Sequence, residues 1–285
     1  NIIVKNKREL DLFDQRKVEI FLKKYKPKVV IISAAKVGGI KANNKFRADF
    51  IRENLQIQSN LIHGCHKNNI NNVIFLGSSC VYPKNCKLPI KEEYLLSGKL
   101  EETNEPYAIA KIAGIKMCES YNRQYKRKYI SLMPTNTFGP GDNYNSENSH
   151  FIPAILKKIY EAKNNNKKYI NLWGTGKSKR ELIYVDDLAD AIVFFMNKKT
   201  KHTLINIGTS KDYSIKQISN KIIKILNFDL KIKFNNNSKF DGVKRKVLST
   251  KLANSYGWRP NIKFDKAIIE TYKDLEKNYK KLRNV

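Results

Sequence analysis

The chain predicts an α/β fold, a doubly wound parallel sheet with a smaller interleaved C-terminal α/β part. Three observations predict it. Short apolar runs such as Val29-Val-Ile-Ile32 and Asn72-Val-Ile-Phe-Leu76 alternate with longer segments of helical period. The run at 72–76 ends in Gly77-Ser-Ser-Cys80, small and hydroxyl residues at the C-terminal end of a strand. Open α/β sheets bind their ligands there. Tyr107-Ala-Ile-Ala-Lys111 then opens a helix, with a spacing of four that puts Tyr107 and Lys111 on one face.

In chain order, Asn1-Ile-Ile-Val4 reads as a strand, followed by Lys5, Lys7 and Arg8. Asp14 caps a helix from Gln15 to Tyr25, with Val18, Phe21 and Leu22 on one face, and Pro27 stops it. Lys28 to Ser33 is a buried strand. The small residues of Ala34-Ala-Lys-Val-Gly-Gly39 after it let a backbone approach a ligand closely. Phe46 to Asn68 is a long helix whose Phe50, Leu55, Leu61 and Ile62 cover more than one stripe, enough for the sheet and for a partner helix. The Tyr107 helix runs to about Lys126, and Tyr129 to Pro134 is a further strand leading to Thr135-Asn-Thr-Phe-Gly-Pro140.

Beyond Asn143 the pattern changes. Asn145 to His150 is a loop that caps a helix from Phe151 to Lys163. Tyr169 to Trp173 is a short strand and Gly174-Thr-Gly176 a turn. Arg180 to Asp187 passes from strand to helix, with Asp186 as its N-cap. Leu204 to Gly208 is a buried strand returning to the main sheet. Ser214 to Leu226 and Phe264 to Lys281 are amphipathic helices. Nucleotide-binding folds of this kind open with a strand and a Gly-rich turn. No G-x-x-G-x-x-G or G-x-G-x-x-G precedes Asn1, so the expectation is a sheet entered at its second strand, with the first βα unit missing. A protein that starts at Asn1 would then hold a dinucleotide poorly.

Composition narrows the function. The 285 residues and 41% hydrophobic content suffice for a full core. The apolar runs are strand-sized, so no membrane partner is expected. The net charge of +29 invites a nucleic-acid reading, but Lys is spread over nearly every helix and loop with no aromatic interleaving. No nucleic-acid partner is expected, and the charge instead favours an anionic substrate. Cys65, Cys80, Cys86 and Cys118 show no CxxC pairing, which fits free thiols in a reducing cytoplasm; no metal site is expected.

Ser78, Tyr107 and Lys111 together describe carbonyl–alcohol redox chemistry. A lysine one turn from a phenol favours the phenolate, so Tyr107 is expected to exchange a proton near neutral pH. A lone YxxxK recurs by chance in a chain rich in Tyr and Lys, and the strand-end GSSC is what gives it meaning. Cys80, two residues past Ser78, is expected on the same side of the strand end.

Six stretches carry a family resemblance: AAKVGGI from Ala34, GSSCVYPK from Gly77, NEPYAIAKIAGIKMCESYNRQY from Asn104, MPTNTFGP from Met133, NSHFIPA from Asn148 and RELIYVDD from Arg180. In these the chain resembles the extended short-chain dehydrogenase/reductases, and among them the epimerase-reductases of GDP-4-keto-6-deoxy-D-mannose. The resemblance implies a Rossmann-type NADP-binding part over 1–142, also receiving about 181–212, and a substrate part over 143–180 and 213–285. It implies inversion at C3 and C5, then NADPH reduction at C4 to GDP-L-fucose. Ser78, Tyr107 and Lys111 match the family's triad, and Cys80 and His150 the pair handling the epimerisation protons. Lys7, Arg8, Ala34, Leu76, Gly77, Ser78, Ser79, Lys111, Pro134, Thr135, Asn136, Thr137 and His150 match cofactor contacts. Lys158, Trp173, Arg180, Asp241 and Lys246 match positions around the GDP-sugar. The family has Arg where this chain has Lys7 and Lys158, so bidentate contacts there give way to point charges. It also implies a homodimer through helices 46–68 and 107–126.

Protons alpha to a ketone are acidic, and inverting such a carbon takes one group on each side of the ring. A thiol and an imidazole both titrate near physiological pH. Cys65, Cys86, Cys118, His63, His66 and His202 are read as structural or solvated. Two alternatives stay open: another nucleotide-sugar epimerase or dehydratase of the superfamily, and a non-catalytic truncated remnant.

Overall fold

A computed structural model describes residues 1–145, 149–238 and 241–279. Its centre is an all-parallel sheet in the order β1-β2-β3-β7, formed by Val29–Ile32, Asn72–Leu76, Lys128–Pro134 and Leu204–Ile207. The return of Leu204–Ile207 beside β3 is as expected. Side chains alternate across this sheet as the period of two requires. Val73 and Phe75 enter one core with α1 (Gln15–Tyr25), α3 (Arg47–Lys67) and α4 (Glu105–Tyr125). Ile74 and Leu132 enter the other, beneath α6 (Val185–Asn197). Both faces are covered, which is why these strands read as continuous apolar runs.

The local signals work where they are strong. The Asp14 side chain accepts the Lys17 N–H at 3.0 Å and starts α1 at Gln15. Ser214 makes a full capping box with Gln217 at the start of α7 (Ile215–Ile225). Gly174 and Gly176 both hold positive φ, +82° and +72°, in the turn expected of them.

Other expectations are corrected. Asn1-Ile-Ile-Val4 forms no strand; Ile2 is 92% and Val4 79% exposed. A strand exists only by pairing, and these residues pair with none of the described strands. The outer edge of β1 is likewise unpaired among the described residues, and Ile31 on it is 45% exposed. Asp186 is not an N-cap: β6 (Lys179–Tyr184) runs directly into α6, with Tyr184 at the cap position and Asp186 inside the first turn. Asp187 instead accepts the N–H groups of Asn261 and Ile262, at 2.8 and 3.2 Å.

Several short elements were not expected from the sequence: α2 (Ile40–Lys45), β4 (Asn136–Phe138), β8 (Asp212–Ser214), β9 (Lys231–Phe234) and β10 (Arg245–Lys246). Of these, β10 and β4 flank β6 in parallel, β8 pairs β6 antiparallel, and β9 pairs β5 (Tyr169–Leu172). Over them lies a separate apolar core built by α5 (Phe151–Asn164), α7 and α9 (Phe264–Asn278). A five-residue helix, α8 (Lys251–Ser255), packs Ala253 into the core under α6. The expected loop at 145–150 and the end of the last expected helix include residues 146–148 and 280–281, which lie outside the described residues.

Candidate active site

The C-terminal ends of β2 and β3, the segment after β1 and the N-terminal ends of α4 and α5 enclose a cleft of about 890 Å³. It collects Ser78, Cys80, Tyr107 and His150, together with Gly77, Ser79 and the strand-end run Pro134 to Thr137. Lys158, Trp173, Arg180, Asp241 and Lys246 line it as well. Lys7, Arg8, Ala34, Leu76 and Lys111 are not part of this lining. Lys7 is exposed, its ammonium 5.3 Å from the Phe13 ring.

β2 ends at Leu76 and the chain turns at once into a short 3-10 helix, Ser79–Val81. The Ser78 hydroxyl caps it, accepting the Cys80 N–H at 3.2 Å. Ser78 and Cys80 therefore share the cleft because of this turn, not because of the strand period expected to align them. The Cys80 thiol accepts the Asn104 amide N–H at 3.5 Å.

Tyr107 lies in the first turn of α4, edge-on to Phe50 with ring centroids 6.3 Å apart. Burial raises its pKa, charge at Cys80 raises it further, and the Ser78 hydroxyl pulls it back. This corrects the expectation of easy ionisation. Burial dominates and favours the protonated phenol. Lys111 is buried beside it, with its ammonium 5.9 Å from the Tyr107 ring centroid and 2.8 Å from the Leu76 carbonyl oxygen that accepts its proton. Burial lowers its pKa to about 8, so part of its charge is lost at mildly alkaline pH.

His150 occupies the N-cap position of α5, its surface open to the cleft but its ring flanked by protein, which lowers its pKa. Arg180 donates to the carbonyls of Val243 and Asp241, at 2.6 and 2.8 Å, and burial lowers its pKa too. Asp241 is taken up by the turn at 174–176: its carboxylate accepts the Thr175 N–H at 2.8 Å and hydroxyl at 2.7 Å. That carboxylate therefore braces the wall of the cleft. The Lys158 ammonium lies 5.2 Å from the Trp173 ring and donates to the Asn171 carbonyl at 2.6 Å. Lys246 pairs in register with Arg180 across β10 and β6.

Sequence reasoning missed Thr103, Asn104, Asn43 and Asp142, all in the lining. Burial raises the Asp142 carboxyl to about 6. Asn43 ties down the segment after β1, donating to the Gly38 carbonyl at 2.6 Å. The one available signal was Asn104 itself, a polar residue just ahead of a helix and inside the quoted NEPYAIAK stretch.

The family model described as NAD dependent epimerase/dehydratase family matches residues 3–208. The GDP-L-fucose synthase of Escherichia coli (strain K12) is 43% identical over 291 residues, covering 99% of this chain and 90% of that protein. Among solved structures, a GDP-6-OMe-4-keto-L-xylo-heptose reductase from C. jejuni superposes with a TM-score of 0.89 at 35% identity, covering 98% of this chain and 90% of that one. A GDP-L-fucose synthetase from Naegleria fowleri bound to NADP gives 0.89 at 28% identity, covering 99% and 87%. With Ser78, Cys80, Tyr107 and His150 gathered at the strand ends of a parallel sheet, the chain belongs to the NAD dependent epimerase/dehydratase family, and within it to the GDP-L-fucose synthases.

Proposed function

We propose that the chain is an NADP(H)-dependent epimerase and reductase that converts GDP-4-keto-6-deoxy-D-mannose to GDP-L-fucose. The observation that carries this reading is the gathering of Cys80 and His150 in the same cleft as Ser78 and Tyr107. Proton exchange and reduction can then act on one sugar ring. NADP(H) supplies a hydride to C4.

The donor set fits the nicotinamide half of that cofactor: hydroxyls at Ser78 and Tyr107, the buried Lys111, and the open strand ends at 77–79 and 134–137. Lys7 and Arg8 offer cations suited to a 2′-phosphate. Cys80 as thiolate takes a proton from the carbon beside the ketone, and the electron pair moves onto the carbonyl oxygen. His150, in its protonated form, returns a proton to the opposite face of that carbon; burial disfavours that form, so it is populated toward lower pH. Tyr107, held neutral by burial, donates its proton to the C4 oxygen as the alkoxide forms. Arg180 and Lys158, with Trp173, form the cationic and aromatic wall offered to the GDP group.

The test is turnover of GDP-4-keto-6-deoxy-D-mannose with NADPH in deuterated water. Stoichiometric NADPH oxidation, with deuterium entering the product at C3 and C5, is the expected result. Oxidation without deuterium would leave a simple C4 reductase, and neither would leave a binding protein.

In this reading residues 1–142 with about 181–212 hold the cofactor, and 143–180 with 213–285 hold the sugar nucleotide. The pairing of β7 with β3 supports the shared assignment. The free thiols fit a cytoplasmic enzyme, and no helix among the described residues is long and apolar enough to cross a membrane.

The homodimer is placed on helices 46–68 and 107–126. Gln58 donates to the Ala110 carbonyl at 2.5 Å and locks these helices together, while Ile109 stays 41% exposed and Ile51 and Leu55 half-buried. A second copy would cover that apolar surface in a four-helix contact. Light scattering should give a dimer mass at micromolar concentration, and a stable monomer there would overturn this assignment.

A further inference from the structure

Asn104 stands at the N-cap of α4, yet its side chain makes no capping hydrogen bond. Asparagine is favoured at this position because its oxygen usually accepts a helix N–H. Here the amide turns away from that role. Its Nδ2 donates to the Cys80 sulfur at 3.5 Å, and its Oδ1 is buried with no partner among the described residues. A buried amide oxygen left unpaired is destabilising, so the arrangement is not the one helix stability alone would select. Asn104 and Cys80 both line the cleft, with Tyr107 in the turn that follows.

We infer that Asn104 is a positioning residue for Cys80, its amide N–H holding the thiolate in place for proton removal beside the ketone. The inference rests on the proton-exchange role given to Cys80 above. An N–H donor favours the charged form of its acceptor, and bonds to ionised groups are stronger than neutral ones. The Asn104 N–H meets the sulfur directly, and Tyr107 on α4 and Arg180 on β6 are the ionisable groups within electrostatic reach of it. The N-terminal end of a 21-residue helix adds a partial positive charge at the same place. The sequence neighbour Thr103 also lines the cleft, and its buried hydroxyl has no partner among the described residues. Among the described residues it makes no hydrogen bond to the sulfur, and it serves as the control position.

The test pairs two readouts on the full-length protein. The first is the pH profile of iodoacetamide alkylation at Cys80, read by peptide mass spectrometry. Asn104→Ala should move that profile to higher pH and slow alkylation at neutral pH by roughly tenfold, the scale of one hydrogen bond to a charged group. Asn104→Asp, which sets a carboxylate against the sulfur, should slow it further. Thr103→Val should leave it in place. The second readout is solvent-deuterium uptake into the sugar, which should fall in Asn104→Ala while NADPH binding is kept. Since Asn104 caps nothing, the melting temperature of Asn104→Ala should stay near that of the parent protein.

An alkylation profile identical in Asn104→Ala and parent protein would overturn the inference, whatever the deuterium result. So would a fall in deuterium uptake accompanied by a large loss of thermal stability and no change in alkylation. If Cys80→Ser itself left uptake unchanged, the proton-exchange role of Cys80 would fail instead, and the alkylation profile would still report the contact.

Discussion

Cys80→Ser should suppress solvent-deuterium uptake into the sugar while NADPH binding survives, and Tyr107→Phe should do the reverse. A serine hydroxyl keeps a donor in place but hardly ionises, so the base is lost. Losing a positioned acid or base costs about a hundredfold to ten-thousandfold in rate. In Tyr107→Phe the ring and its edge-on contact with Phe50 are kept, and only the proton for the C4 oxygen is removed. Deuterium should then still enter at C3 and C5 while NADPH oxidation stalls. The two variants separate because the structure sets Cys80 in the turn after β2 and Tyr107 on α4, each on its own scaffold. Mass spectrometry of the sugar alongside NADPH absorbance measures both at once. Exchange at the parent rate in Cys80→Ser would return Cys80 to a small half-buried thiol without a role.

Glu181→Ala should be the most destabilising single change outside the apolar cores. Glu181 is fully buried on β6 and accepts three backbone N–H groups at 2.6 Å each, from Thr209, Ser210 and Leu248. One carboxylate thus ties β6 to the loop after β7 and to the segment following β10. The space is filled, since a Cβ at Gly208 would meet the Glu181 Oε1 at 2.3 Å. Removing the side chain leaves the buried Leu248 N–H and the part-buried Thr209 and Ser210 N–H groups without their acceptor; a buried unpaired donor costs about 1–3 kcal/mol, out of a total stability of about 5–15 kcal/mol. Denaturant melts should show the midpoint collapse, and a midpoint within the error of the parent protein would refute the account.

The pH sign is also set. Burial raises the Glu181 carboxyl to about 7 from an ordinary 4.5. The folded state therefore holds this proton more tightly than the unfolded chain. Its contribution favours the fold below pH 4.5 and is lost as pH rises through 7. Glu181→Gln cannot titrate, so the stability difference between it and the parent should change across that window and level off above it.

What the sequence determined by itself is the part of the molecule carried by local periodicity and local caps. Val73–Leu76 is apolar throughout because a central parallel strand is buried on both faces, and that is legible residue by residue. Asp14 and Ser214 announce their helices because a side-chain oxygen near an unpaired N–H is a contact between near neighbours in the chain. Which residues line the candidate cleft was partly legible through stretches such as GSSC and NEPYAIAK, far apart in sequence but recognisable as words.

Tertiary structure decided what depends on pairing and on burial. Asn1-Ile-Ile-Val4 has the composition of a strand but pairs with none of the described strands, so it is not one. β4, β8 and β10 have only two or three residues, too few for a period, and exist because β6 offers them edges, while the alternating Lys231–Phe234 is a strand through its pairing with β5. The protonation of Tyr107 was misjudged from the spacing to Lys111, because spacing shows which charges are near and not how little water surrounds them. Desolvation, which raised the phenol and lowered the lysine, is a property of the packed cleft. The same holds for Asn104: only the folded chain shows its amide turned from the helix end it precedes to the sulfur of Cys80.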